Sequence, residues 1–262
     1  MDSEQLKQYL QRIGTGAVVT ADRETLYRLQ EAHLKTVPYE TLDIVAGRLS
    51  SLTAESIYRK VVTEHRGGYC FELNGLFAEL LRAAGYQVKE YFARWHFGET
   101  EEVPRRRHRI LHVTAVDGTE YIADAGVGCL CPLHPLEFVL DTHQERNGRP
   151  YRIVQAEGLG YAVQTQTAEG WVNFFSFVPD PHYPQDFDYP HFYCTFGEDS
   201  PFRKDIKMHR FTEYGRICVE VSAPGYILRE TLPDGTLRDT PFAANALEEI
   251  LQEHFGIPAG TL

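Results

Sequence analysis

A cysteine placed where a helix starts meets the partial positive charge of unpaired backbone N–H groups, which favours the thiolate and hence a nucleophile. Cys70 has that placement. Leu73, Leu76, Phe77, Leu80, Leu81 and Ala84 repeat behind it at three- and four-residue spacing and Gly85 supplies a stop, so the pattern predicts a helix opening at or just after Cys70. Ahead of it, Arg66-Gly67-Gly68-Tyr69 reads as a Gly-Gly turn that lets backbone approach closely and could bring a substrate carbonyl beside the thiol. Position alone is weak warrant, because a buried cysteine is usually an inert small hydrophobe. That reading is favoured for the other four: Cys194 and Cys218 sit in apolar strand-like runs, and Cys129 and Cys131 in a Pro-containing loop.

A cysteine nucleophile needs a base within hydrogen-bond reach and usually a third group that orients the base. Eleven histidines are present, so composition does not choose among them. In the run HRILHVTAV, alternation places His108 and His112 on one face, and either could point at the thiol. Asp124 is an acid inside the apolar run YIADAGV, where an unpaired carboxylate would be costly to bury. Either it has a partner, or it is half exposed or caps the Gly126-Val127-Gly128 turn. Asp117, before Gly118, reads more simply as a hairpin-turn residue.

The elements that must position these groups follow from periodicity. The first third is helical: Leu6, Leu10 and Ile13 form a stripe after Asp2 and Ser3, Leu26 and Leu29 follow a Thr20 N-cap, and Ile57 and Val61 follow Thr53. TVPYETLDI breaks that pattern at Pro38 and leaves into a short extended piece. From about residue 87 the period is two, in QVKEYFARWHF, HRILHVTAV, EYIADAGV, PYRIVQA, YAVQTQT and WVNFFSFV, separated by Gly, Asp-Gly and Pro turns. These runs predict a small antiparallel sheet or barrel. The last part holds a strand at RICVEVS, a hairpin at YILRETLPDGTLRDT and a helix at ALEEILQEHFG.

Composition limits the function. At 262 residues with 43% hydrophobic and 12% aromatic residues, the chain can bury a large core shared by two or three domains. A net charge of −11 works against nucleic acid and anionic lipid, which need clustered Lys and Arg. The run Arg105-Arg106-Arg107 is too short to reverse this; it reads as a solvated loop before a strand, or as a loop facing an anionic cofactor. Neither a signal peptide nor an 18-residue apolar run is present, which predicts a cytoplasmic protein. Five cysteines without CxxC spacing suit a reducing compartment and predict no metal site.

The stretch Arg66-Gly67-Gly68-Tyr69-Cys70-Phe71-Glu72-Leu73-Asn74 resembles the active-site signature of the arylamine N-acetyltransferases. HLKTVPYETLDI at 33–44, HRILHVTAVDGTEYIADAGVG, Asp199-Ser200-Pro201-Phe202 and the terminal HFGI fall where that family places similar pieces, so the likeness spans nearly the whole chain. The resemblance implies an α+β fold with a papain-like cysteine catalytic core: an N-terminal helical bundle (1–86), a central antiparallel β-barrel (87–200) and a C-terminal α/β lid (201–262). It implies a triad of Cys70, His108 and Asp124, and favours His108 over His112 because the family's histidine opens its strand. Glu72 and Asn74 are then expected to hold the turn at the helix start. Acetyl coenzyme A is implied as acyl donor, and arylamines, arylhydrazines or related small amines as acceptors, by a ping-pong route through acetyl-Cys70. Gly126, Val127, Gly128 and Phe71 are expected to line the acceptor pocket, with Val127 standing where relatives commonly have an aromatic.

Two other classes fit the same residues. A thiol hydrolase or amide-forming enzyme on a papain- or transglutaminase-like core uses Cys, His and Asp in this order. A non-catalytic binding module would ordinarily have lost a triad member, and none is lost. Geometry also sets a condition. A two-residue turn at Asp117-Gly118 would place His108 opposite Val127 and Asp124 opposite Leu111, about 10 Å apart along the strand at ~3.3 Å per residue. A triad therefore predicts a β-bulge or bend between His108 and Val116, with His108 Nδ1 bonded to Asp124.

Overall fold

Asp2 starts the first helix, α1 (Ser3–Arg12), with a capping box: its carboxylate accepts the Gln5 N–H, and the Gln5 side chain accepts the Asp2 N–H in return. These features come from a computed structural model, which describes residues 1–16, 20–127 and 131–262. Helix α2 (Arg23–Thr36) is capped by Asp22, which accepts the Thr25 N–H at 2.8 Å. The expected cap, Thr20, instead bonds the Asp22 carboxylate through its hydroxyl, because the stronger acceptor stands two residues nearer the helix. Past Pro38 the chain makes a two-residue strand, β1 (Tyr39–Glu40), and the short α3 (Leu42–Val45). Thr53 caps α4 (Ala54–Tyr58), which widens into a π turn at Arg59–Thr63. Helix α5 (Cys70–Ala83) stops at Gly85, whose φ of +96° suits glycine.

Eight strands follow the bundle: β2 (Gln87–Trp95), β3 (Arg106–Thr114), β4 (Glu120–Ala123), β5 (Leu136–Glu137), β6 (Gln144–Arg146), β7 (Arg149–Ala156), β8 (Gly160–Thr167) and β9 (Gly170–Phe177). Their order is β5-β4-β3-β2-β9-β8-β7-β6, every pair antiparallel. The two ends meet through a side chain: the Gln144 amide donates to Glu137 O and accepts from Glu137 N, both at 2.8 Å, so the barrel nearly closes. Strand β3 is buried on both faces. Leu111 and Val113 join α5 in the bundle core, and Ile110 joins Tyr91, Tyr151, Phe174 and Phe175 in the barrel core. Only Ile110, Leu111 and Val113 of the strand are apolar, and its buried Arg107, His108, Arg109 and His112 each face a carboxylate.

Beyond Phe177 the chain is helical again, in a 3-10 turn at Pro184–Phe187 and α6 (Asp188–Phe196). Cys194 thus lies on a helix, not in the strand expected for it. Phe187, His191 and Cys194, spaced four and three apart, turn one face of this segment to the interior. The lid sheet is β1-β10-β11-β12-β13, made by β10 (Met208–Phe211), β11 (Arg216–Ser222), β12 (Gly225–Thr231) and β13 (Leu237–Phe242). Helix α7 (Leu247–Phe255) packs Leu247, Leu251 and Phe255 on Met208, Ile217, Val219 and Leu228. The fold is α+β, as the sequence implied. Among the described residues no helix is long and apolar enough to cross a membrane.

Candidate active site

The start of α5 is held by buried charge. Glu72 accepts the Tyr69 N–H at 3.1 Å, and its other oxygen accepts from Lys60 Nζ at 2.8 Å. Lys60 also reaches Asp43 at 2.8 Å, while Arg66 pairs with Glu40 at 2.8 Å and Asp43 at 3.1 Å. Burial pushes the Asp43 carboxyl up, but Lys60 and Arg66 outweigh it and hold the group well below the usual range. Removing one member would strand the others in the interior, the costly way to break such a cluster. The glycines serve this packing. A Cβ on Gly67 would stand 2.1 Å from Pro38 O, and one on Gly68 2.9 Å from Glu72 Oε2. The close approach they allow is to β1, where Glu40 N donates to Gly68 O at 2.8 Å.

The β3–β4 hairpin corrects the expected turn. Ala115 N donates to Thr119 O at 2.9 Å, so the loop holds three residues, 116–118, with Gly118 at φ +84°. Leu111 therefore faces Ala123 and His112 faces Ile122. No bulge lies between His108 and Val116; the ladder with β2 is regular down to Ala93↔His108 and shifts one residue earlier, beside Arg107. One residue more in the turn draws Asp124, just past β4, back towards His108. The bond forms from His108 Nε2 to Asp124 Oδ2 at 2.6 Å, not from Nδ1 as expected. The ring also interacts with the Cys70 thiol. His112 is engaged elsewhere, with Tyr91 Oη at 3.0 Å and Glu120 at 3.2 Å.

Two residues that complete this arrangement were not read as part of it. Asn74, one turn along α5 from Cys70, donates through Nδ2 to Asp124 Oδ1 at 2.8 Å and accepts the Ala125 N–H at 2.8 Å. It orients the carboxylate in addition to belonging to the helix start, and its i,i+4 spacing from Cys70 was the available signal. Gln30 of α2 accepts the Asp124 N–H at 3.1 Å, with nothing in the sequence to mark it. Gly126 N adds a bond to Asp124 Oδ1 at 2.9 Å.

Burial alone would drive the His108 ring down, but Asp124 and then Cys70 more than offset it and lift the ring to about 10. Burial pushes the Cys70 thiol up and His108 pulls it back. The carboxylate at hydrogen-bond distance favours the charged form of the buried ring. An imidazolium beside the sulfur then eases formation of the thiolate. Burial pushes Cys194 up to about 12 and Cys218 up to about 11 with no imidazole to oppose it. Brief iodoacetamide treatment at neutral pH is therefore expected to label Cys70 first, read by peptide mapping. In Asp124→Asn the ring loses the group that raises it and becomes neutral at that pH, so labelling should slow. First labelling at Cys129 or Cys131 would refute this.

A cavity of about 270 Å³ opens on the thiol. Cys70, His108, Gly126 and Val127 line it, with Tyr39, Trp95, Phe97 and Phe202 as aromatic walls. Gly128 and Cys129 lie outside the described residues. Phe71 is not on the wall: one step round the helix from Cys70, it is buried edge-on to Tyr69 and beside Phe187. The arginine run divides. Arg107 folds inward to Glu99 and lines the cavity, Arg105 pairs with Asp199 at 2.8 Å, and Arg106 stays exposed. Among the described residues no three His, Cys, Asp or Glu side chains gather as a metal site.

The Cys70 thiol, the His108 imidazole and the Asp124 carboxylate thus meet at the bundle–barrel junction. Residues 22–261 match the N-acetyltransferase family model. The arylamine N-acetyltransferase of Escherichia coli K12 is 31% identical over 205 residues, covering 78% of this chain and 72% of that protein. The structure of arylamine N-acetyltransferase from M. tuberculosis is similar at a TM-score of 0.86 and 28% identity, covering 96% of this chain and 93% of that one. The Mycobacterium marinum enzyme in complex with CoA gives 0.85 and 26%, covering 96% and 92%. The chain belongs to the arylamine N-acetyltransferase family and is an acyltransferase.

Proposed function

We propose that the protein transfers an acetyl group from acetyl coenzyme A to arylamines, arylhydrazines or related amines through an acetyl-Cys70 intermediate. The observation that carries this reading is the buried His108–Asp124 bond beside the Cys70 thiol on the cavity wall. The Cys70 thiolate attacks the thioester carbonyl, and the coenzyme A thiolate leaves with the proton held by His108. The amine then attacks the acetyl-cysteine carbonyl, His108 takes the amine proton, and Cys70 departs as thiolate. Asp124 keeps the ring oriented and compensates its charge. The backbone N–H of Cys70, at the helix start, is the candidate donor to the oxyanion.

The test is incubation with acetyl coenzyme A and no amine. One acetyl group on the Cys70 peptide, discharged by an added arylamine, is expected; an unmodified Cys70 would sink the reading and favour a thiol hydrolase. Val127→Phe bears on the acceptor side. An aromatic on this wall adds a stacking surface of about 0.5–1.5 kcal/mol, so the apparent KM for an aryl amine should fall severalfold. No change, or a change for coenzyme A alone, would place this loop away from the acceptor.

A further inference from the structure

The first half of β3 has no strand on one of its sides. Strand β4 pairs with it only from Leu111 onward, and before that point α5 takes the strand's place. Alternate carbonyls of β3 bond to the helix there: the Cys70 thiol donates to Arg107 O at 3.7 Å, and Asn74 Nδ2 donates to Arg109 O at 2.5 Å. His108 lies between these two residues, so the helix-to-strand contact is also the contact between nucleophile and base.

The Arg109 side chain reaches back across the same contact. It is buried, and its Nε and Nη2 both donate to Glu90 Oε2 of β2, Nε at 2.6 Å. That pair alone would tie β2 to β3. A third arm does something else: Nη1 donates to Phe71 O at 2.8 Å, in the first turn of α5 and one residue from Cys70. The Phe187 ring packs on the guanidinium, 4.3 Å from its carbon to the ring centroid. Gly75 supplies the space on the helix side, since a Cβ there would stand 2.5 Å from Arg109 Nη1. Alanine is ordinarily the better residue inside a helix, and the passage of the guanidinium accounts for a glycine in its place.

We propose that Arg109 is a positioning residue for the reaction: anchored on Glu90, it grips the first turn of α5 through Phe71 O and so keeps the Cys70 sulfur against His108. The proposal rests on the reading that Cys70 carries the acyl group. The groups that face the sulfur are His108 and Asp124, Arg109 itself, and Tyr69 and Cys194, which both stay neutral near pH 7. Burial pushes the Cys70 thiol up and His108 pulls it back. The pH at which Cys70 becomes reactive therefore reports the sulfur–ring contact, and drawing the first turn away from β3 moves that pH upward.

The test uses Gly75→Ala and Arg109→Met, each read by the pH midpoint of Cys70 alkylation with iodoacetamide, by kcat and KM with acetyl coenzyme A, and by Tm. Gly75→Ala keeps the Arg109 charge and favours the helix, while its Cβ displaces Nη1 from Phe71 O, so Tm should stay near that of the wild type. Its alkylation midpoint is expected to rise by roughly one pH unit, the size of a lost charge contact. Its kcat should fall about tenfold or more through misplacement of the sulfur, with KM little changed. Arg109→Met should move both in the same direction and lower Tm as well, because Glu90 loses a buried partner. A wild-type midpoint in Gly75→Ala overturns the proposal, whatever happens to Tm or to Arg109→Met, since Arg109 would then serve the fold alone. A raised midpoint with an unchanged kcat overturns it too, because the contact would not limit the reaction. Failure of the underlying reading is distinct: wild-type Cys70 would then take up no acetyl group, while its alkylation would be unaffected.

Discussion

His108→Gln is expected to lower kcat/KM roughly a hundredfold to ten-thousandfold, the usual span for loss of a general base, whereas His112→Gln should keep most activity. The two histidines share one strand and one side of it, and only their partners differ. His108 bonds Asp124 and interacts with Cys70, while His112 sits between Tyr91 and Glu120. Asp124→Asn should fall in the same range as His108→Gln, since an amide in that place favours the wrong tautomer. Steady-state kinetics on the three variants decide the matter. Equal losses at both histidines would mean that the base has been assigned to the wrong strand position.

Gly126→Ala is the second large effect. A Cβ at this position would stand 2.6 Å from Asn74 Nδ2 and 2.8 Å from Cys70 Cα. Gly126 itself has ordinary backbone geometry, so the penalty is one of space. Asn74 must release Asp124 or the start of α5 must move, and a displacement of about 1 Å at reacting groups can cost on the order of a hundredfold. We expect a fall of about that size in kcat/KM. Overpacking should also cost about 1–3 kcal/mol of stability, seen as a lower Tm. Gly16→Ala, where a Cβ meets nothing within 4 Å, is the control. Activity within threefold of wild type in Gly126→Ala would show that the turn after Asp124 is not seated against Cys70.

The parts of the site that the sequence revealed are those fixed by local rules. Cys70 at a helix start follows from the apolar spacing behind it and the stop at Gly85, and both appear in α5. The burial cost of Asp124 correctly announced a partner. Alternation could not separate His108 from His112, and the resemblance alone did. The hairpin was misread because Asp117-Gly118 suits a two-residue turn and a three-residue loop equally well, and one residue decides which side chains meet. Cys194 was misplaced because the aromatic run around it favours strands by propensity, while Pro190 falls in a first helical turn, where proline is tolerated. Strand β1 could not be foreseen in place, because its partner β10 comes so much later in the chain.

That two-residue strand has a consequence for the order in which the molecule is made. One edge of β1 bonds to the backbone of Gly68, two residues before Cys70, and the other is the first rung of the lid sheet. Helix α5 and its neighbours can assemble from contacts close in sequence, which form quickly, whereas the Tyr39–His209 pairing must wait for nearly the whole chain. During synthesis the Cys70 end of α5 can therefore form before the β10 wall that faces it. Until the segment from Pro201 to His209 is made, the cavity beside Cys70 has only the walls supplied by Tyr39, the barrel residues and the turn after Asp124.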